Sequence, residues 1–143
     1  MSSKDFDAFK SNFTGDVVTP SDPGYELAIK RWASNASRPA KVVAFVANQL
    51  DVSAAISYAR AQNLPIAVRG GGHSVSGTSS QKDGLVIDLS RYLNKARVDP
   101  EKKLAYVEGG AIWETVDKVA IEHGLASVAG TVNHVRILIL MYN

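Results

Sequence analysis

The sequence predicts an α+β fold with a β-α-β start, a mixed sheet and flanking helices. Three observations carry that expectation. The β-branched run Lys41–Ala47, the helical pattern Val52–Gln62 and the apolar run Leu64–Val68 have together about the ~30 residues of a β-α-β unit. Two strand-like runs, Ala96–Val98 and Leu104–Val107, flank the turn-rich Asp99–Lys103 as the arms of a hairpin would. A last helical pattern, Ala111–His123, sets Ile112, Val116, Val119 and Ala120 on one face and stops at Gly124.

From the N-terminus, Phe6, Phe9 and Phe13 are spaced by three and four and mark one face of a short helix. Ser21-Asp22-Pro23 reads as a helix start, with Asp22 capping and Pro23 at the first helical position. That helix is expected through Tyr25–Trp32, ending near Asn35 ahead of Arg38-Pro39. Residues 1–37 then form a helical lead-in and residues 38–134 the main unit. Asp51 is the expected N-cap of the next helix, whose Val52, Ala55, Ile56 and Ala59 line one face. Leu64–Val68 and Leu85–Leu89 read as buried strands, with a turn-rich stretch at Ser76–Gly84 between them. Gly109-Gly110 break the hairpin's second strand, Trp113 is expected in the core, and Leu125–Val128 is a candidate final strand. Residues 135–143 form an apolar tail whose pattern departs from the rest.

Composition narrows the function. Sixteen basic and fourteen acidic residues are interspersed, so no basic stripe points to nucleic acid and no polybasic cluster to a membrane surface. With no cysteine, disulfides, thiolate metal sites and thiol catalysis are excluded. His73, His123 and His134 are dispersed and show no metal-ligand spacing. No apolar run approaches the ~20 residues of a membrane span, and the N-terminus lacks a signal-peptide pattern. These features point to a cytoplasmic setting.

The chemistry concentrates in Val68-Arg69-Gly70-Gly71-Gly72-His73-Ser74, a strand end running into three glycines, a histidine and a hydroxyl. Residues without Cβ let a backbone approach a ligand closely and aim several N–H groups into one concavity, which suits phosphate or diphosphate. Gly70 and Gly72 begin a dinucleotide fingerprint, but Val75 stands where its third glycine belongs. Gly72 and Gly77 have P-loop spacing, yet Thr78-Ser79 follow and the phosphate-binding lysine is missing. Gly72-His73-Ser74-Val75-Ser76 resembles a hydrolase elbow, except that Ser76 replaces its second glycine and no helical pattern follows. A simple tight turn remains the alternative that needs no ligand.

An ordered series of segments resembles a known family. Arg38-Pro39-Ala40, Asp51-Val52 with Ala59-Arg60, Arg69–Ser74 and Asp83–Ser90 match in turn, followed by Val107–Trp113, His123–Ala126 and Gly130–Asn133. Over residues 25–134 the chain resembles the PCMH-type FAD-binding domain of the vanillyl-alcohol-oxidase superfamily, nearest its berberine-bridge-enzyme-like FAD-linked oxidoreductases. The resemblance implies that the chain holds the first subdomain of that fold and binds FAD. By the same resemblance Arg69, Gly70, Gly71, Gly72, His73, Ser74 and Gly77 would wrap the diphosphate. His73 would bond covalently to the flavin, and Gly130, Thr131 and Val132 would approach the ribityl and isoalloxazine side. Family members attached at two points add a cysteine; Val132 occupies that position here, so any attachment runs through His73 alone.

The implied activity is oxidation of a small organic substrate. After His134 the family continues into further glycines and a substrate domain, whereas here Val135–Asn143 follow. The expectation is therefore a truncated chain, inactive by itself, with a non-catalytic flavin-binding or interaction fragment as the alternative. A sheet lacking neighbours would leave unpaired edges and uncovered apolar faces, so poor solubility or dependence on a partner is expected.

Overall fold

The computed structural model describes residues 3–136. The expected tail at 135–143 lies, beyond Arg136, outside the described residues. Helix α1 (Ser3–Ser11) leads into strand β1 (Asp16–Val18), helix α2 (Tyr25–Ile29) and a 3-10 turn at Ser34–Ala36. Strand β2 (Val42–Phe45), helix α3 (Gln49–Ala61) and strand β3 (Ile66–Arg69) follow. Next come β4 (Leu85–Asp88), β5 (Ala96–Asp99), β6 (Leu104–Val107) and helix α4 (Trp113–Ile121).

The sheet is mixed, in the order β1-β2-β4-β3. Strand β4 enters between the two strands of the β-α-β unit and runs parallel to both, with Val42 opposite Leu85 and Ile66 also opposite Leu85. Strand β1 adds antiparallel to β2. Every residue of β2 and β4 is buried, as expected of inner strands covered on both faces. One face packs Val42, Ala44, Leu85 and Ile87 against Ala55 and Ala59 of α3 and the phenylalanines of the N-terminal segment. Phe9 stacks on Tyr58 with ring centroids 4.4 Å apart, which fastens α1 to α3. The other face packs Val43, Phe45 and Val86 against Ala28 and Ala40. The hairpin β5–β6 forms as expected, Ala96 opposite Val107, and packs beneath α4.

Several local expectations are corrected. The N-cap of α3 is Asn48, whose side chain accepts from the Asp51 N–H. Asp51 is instead buried and accepts from the main-chain N–H groups of Thr14, Gly15 and Ala47. It clips the lead-in to the end of β2, a long-range role invisible to a capping rule. Helix α2 has only five residues, and Gly24, in the left-handed region at φ 85°, is its N-cap; Asp22 accepts from Thr19. At Lys30 the chain turns extended (ψ 138°), and Arg31 goes into the interior.

Among the described residues strand β3 is an edge strand, not a buried one: Ala67 is buried, while Ile66 and Val68 are exposed. Ile56 faces out from α3, and Trp113 is half-buried. No strand forms at Leu125–Val128, where Val128 is fully exposed; the α4 region pairs instead through a bridge between Ile112 and Arg136. Strand β1, three residues long, was too short to leave a periodicity.

Candidate cofactor site

The glycine loop leaves the end of β3, where Arg69 lies beside Asp88 of β4. Parallel pairing puts the two carboxyl ends of these strands together and fixes where the loop begins. Arg69 Nη1 donates to Asp88 Oδ2 at 2.8 Å and to the Ala28 carbonyl at 3.1 Å. Asp88 is fully buried, and its other oxygen accepts from the Ser90 N–H.

Beyond Arg69 the N–H groups of the loop stop pairing with main-chain carbonyls among the described residues. The Leu89 N–H still reaches the Arg69 carbonyl, and the next turn bond is Gly77 N–H to the Ser74 carbonyl at 3.2 Å. Between them, the N–H groups of Gly70 through Ser76 have no main-chain acceptor among the described residues. Gly72 and Gly77 lie in the left-handed region, at φ 70° and 78°, which side-chain-bearing residues rarely adopt. The loop stays irregular as far as Leu85, and no helix follows Ser74. That removes the hydrolase elbow, which needs a strand-to-helix turn. Ser74 Oγ instead lies 2.9 Å from Ser76 Oγ and 3.0 Å from Thr78 Oγ1.

Arginines crowd this loop from several directions. A Cβ at Gly72 would stand 2.9 Å from Arg31 Cδ and 3.2 Å from Arg69 Nε; one at Gly77 would stand 2.9 Å from an Arg38 guanidinium nitrogen. A Cβ at Gly71 would overlap the His73 imidazole and lie 3.4 Å from Arg136 Cβ. Burial and the neighbouring Arg69 push Arg31 down to about 10, with Asp88 opposing. Arg136 is lowered for the same reasons in the same order. Orphaned buried polar atoms gather here too: Arg69 Nε, Ser79 Oγ and Ser80 Oγ have no partner among the described residues.

His73 is half-buried between Trp32, whose ring centroid is 6.3 Å away, and His134, at 6.0 Å. Trp32 is exposed, and its main-chain N–H donates to the Gly72 carbonyl. Burial, then the charges of His134 and Arg136, hold the imidazole below its usual pKa, against a hydrogen bond to the His134 main chain. The ring is therefore neutral at pH 7 and keeps a lone pair.

His134 lies beside His73 in the glycine loop, and Arg136 beside Gly71. Gly130 is half-buried, while Thr131 and Val132 are exposed. Their neighbours cap α4, with Trp113 N–H donating to the Val135 carbonyl and Glu114 N–H to the Asn133 carbonyl. Sequence reasoning missed Arg31 and Trp32 entirely and took Arg38 and Asp88 only as parts of matching segments. Nothing local marks Arg31, which lies 48 residues from Ser79, the residue it holds. Among the described residues no cluster of three metal-ligating side chains occurs, and no helix is long and apolar enough to cross a membrane.

Comparison with known proteins agrees with this architecture. Residues 40–137 match the FAD binding domain family. An uncharacterized FAD-linked oxidoreductase of Bacillus subtilis, YgaK, is 37% identical over 88% of this chain and 28% of its own length. (R)-6-hydroxynicotine oxidase of Paenarthrobacter nicotinovorans is 32% identical over 81% of this chain and 25% of its own. The crystal structure of 6-hydroxy-D-nicotine oxidase from Arthrobacter nicotinovorans superposes with a TM-score of 0.83 at 30% identity, covering 87% of this chain and 27% of that one. A BBE-like protein of Physcomitrella patens shares the fold, with a TM-score of 0.81 at 20% identity. The chain thus spans about a quarter of the length of the relatives it matches. Motif order, sheet topology and these matches agree: the chain belongs to the FAD binding domain family and corresponds to the N-terminal part of the PCMH-type domain of FAD-linked oxidoreductases.

Proposed function

We propose that Arg69–Ser74 and Gly77 cradle the diphosphate of FAD, that His73 is its covalent anchor, and that Gly130–Val132 flank the ribityl and ring side. One observation carries the reading. Among the described residues, seven successive N–H groups, Gly70 to Ser76, lack a main-chain acceptor, and Arg31, Arg69 and Arg136 stand beside Gly71 and Gly72. Backbone donors left unpaired are costly unless water or a ligand takes them, and unpaired N–H groups beside positive charge suit a dianion. The orphaned Arg69 Nε and the Ser79 and Ser80 hydroxyls supply further donors. The residues present therefore fit the group.

When bound, FAD supplies the two-electron acceptance that oxidation of a small organic substrate requires. The chain's own part is to hold and orient it. The cradle fixes the diphosphate, Trp32 and His134 flank His73, and a neutral imidazole offers the lone pair that attachment needs. Oxidation of a small organic substrate, as in the full-length relatives, is proposed for this domain in that larger setting. The deciding experiment is flavin fluorescence of the purified chain on a denaturing gel beside His73→Ala. Fluorescence that travels with the wild type and disappears in the variant is the expected result. Flavin released from both on denaturation would leave binding in place and overturn the covalent anchor.

A further inference from the structure

Arg31 belongs to none of the motifs, yet it is buried, and among the described residues its guanidinium meets main-chain carbonyls and no carboxylate. We propose that Arg31 is the charged floor of the diphosphate site: a positioning residue whose uncompensated guanidinium, beneath Gly72, draws the diphosphate of a nucleotide-type ligand into the glycine loop. The inference rests on the FAD reading above.

Arg31 is only 3% exposed. Its guanidinium bonds are all to main-chain carbonyls: Nε and Nη2 to Ser79 at 3.2 and 2.8 Å, and Nη1 to Ala28 and Lys30 at 3.2 and 3.0 Å. Carbonyls satisfy donors but do not cancel a charge, and a buried charge without a counter-ion is costly. The nearby carboxylate, Asp88, is already bonded by Arg69 and also acts on Arg136. Among the described residues, Arg31, Arg69 and Arg136 thus share the carboxylate of Asp88. A dianion in the loop removes that imbalance, and the free energy released appears as affinity.

Geometry joins the charge to the loop. Gly72 is bare, so the backbone can rest against the arginine: a Cβ there would stand 2.9 Å from Arg31 Cδ. The same side chain grips Ser79 on the far side of the loop, and Trp32, its neighbour in sequence, donates to the Gly72 carbonyl. The break of α2 at Lys30 turns Arg31 inward. A helix continuing to Asn35 would not make that turn.

The test compares FAD with riboflavin, which carries the same ring without phosphate, in the whole chain and in Arg31→Gln and Arg31→Lys. For Arg31→Gln, the Kd for FAD should rise about tenfold or more, since a charge on an anion a few ångströms away is worth at least that at protein dielectric. Riboflavin affinity should stay within about threefold, because no phosphate senses the charge. Arg31→Lys should recover most of the FAD affinity, and the salt dependence of FAD binding should flatten in the glutamine variant alone. Should Arg31→Gln lose its native circular dichroism, citrulline introduced at position 31 keeps the shape and the Ser79 bonds while deleting the charge. Equal losses for both flavins, or unchanged FAD binding in a folded neutral variant, would overturn the proposal. Failure of the wild type to bind FAD would instead remove the cofactor reading, and this inference with it.

Discussion

Gly71 and His73 form a unit at the residue scale. The imidazole lies so close over Gly71 that a Cβ would overlap its Cδ2 and stand 3.0 Å from Nε2. With His73 as the proposed anchor, Gly71→Ala should displace the ring and slow flavin attachment about tenfold or more, a loss typical of a reacting group misplaced by an ångström. The time course of denaturation-stable fluorescence at saturating FAD reads that loss. His73 also makes stability depend on pH. Its folded pKa lies below the ordinary 6.5, so as pH falls through 6.5 the unfolded chain takes the proton first. Its contribution is fully present above 6.5 and is lost as pH falls towards the folded value. Urea midpoints at about pH 7.5 and about pH 5.5 should show a drop on acidification that is smaller in His73→Gln.

At the scale of elements, Asp51 and Asn48 have exchanged the roles their positions suggest. Asn48 caps α3 with one bond, so Asn48→Ala should cost about 1 kcal/mol. Asp51 receives three main-chain N–H groups at 2.8 to 3.1 Å in a buried site. Asp51→Ala orphans all three and should cost about 3 kcal/mol or more, read from chemical denaturation. The larger effect at Asp51 is the discriminating result; equal effects would mean that the lead-in is not clipped to β2 through this carboxylate. The helical pattern of Val52–Gln62 was plain in the sequence, but cap identity depends on which of two acidic or amide groups finds a distant partner. Helix α2 fails for a related reason. Its pattern supported a longer helix, and the burial of Arg31 against the distant Ser79 carbonyl outweighed local propensity.

Across the whole molecule, the sheet has two edges among the described residues, β1 and β3, and the β3 edge exposes Ile66 and Val68. Both stand opposite residues of β4, Leu85 and Ile87, that belong to the core cluster, so an apolar strip continues from the interior to the surface. Such an edge can pair with another chain. Val68→Thr, keeping a β-branched shape while adding a hydroxyl, should raise the protein concentration at which light scattering begins. Its folding stability should stay within about 0.5 kcal/mol, as expected for an exposed site. Scattering unchanged by the substitution would place the self-association surface elsewhere.

By itself, the sequence determined whatever depends on neighbours along the chain. It marked the inner strands β2 and β4, the hairpin, α3, the helix α4 though not its end at Ile121, and a glycine run able to take an anion, because periodicity, β-branching and missing Cβ atoms are local properties. The ordered motifs added the family, since their succession is itself a sequence property. Only the tertiary structure decided which charges meet the loop. Arg31, Arg38 and Arg136 converge on glycines up to 65 residues away along the chain, and Asp88 meets Arg69 at the start of the loop, through parallel pairing of β3 with β4 and the inward turn at Lys30. Tertiary pairing also made β3 an edge and left Leu125–Val128 without a partner. A strand is completed by the chain lying beside it, and a buried charge by whatever neutralises it; neither partner is written next to it in the sequence.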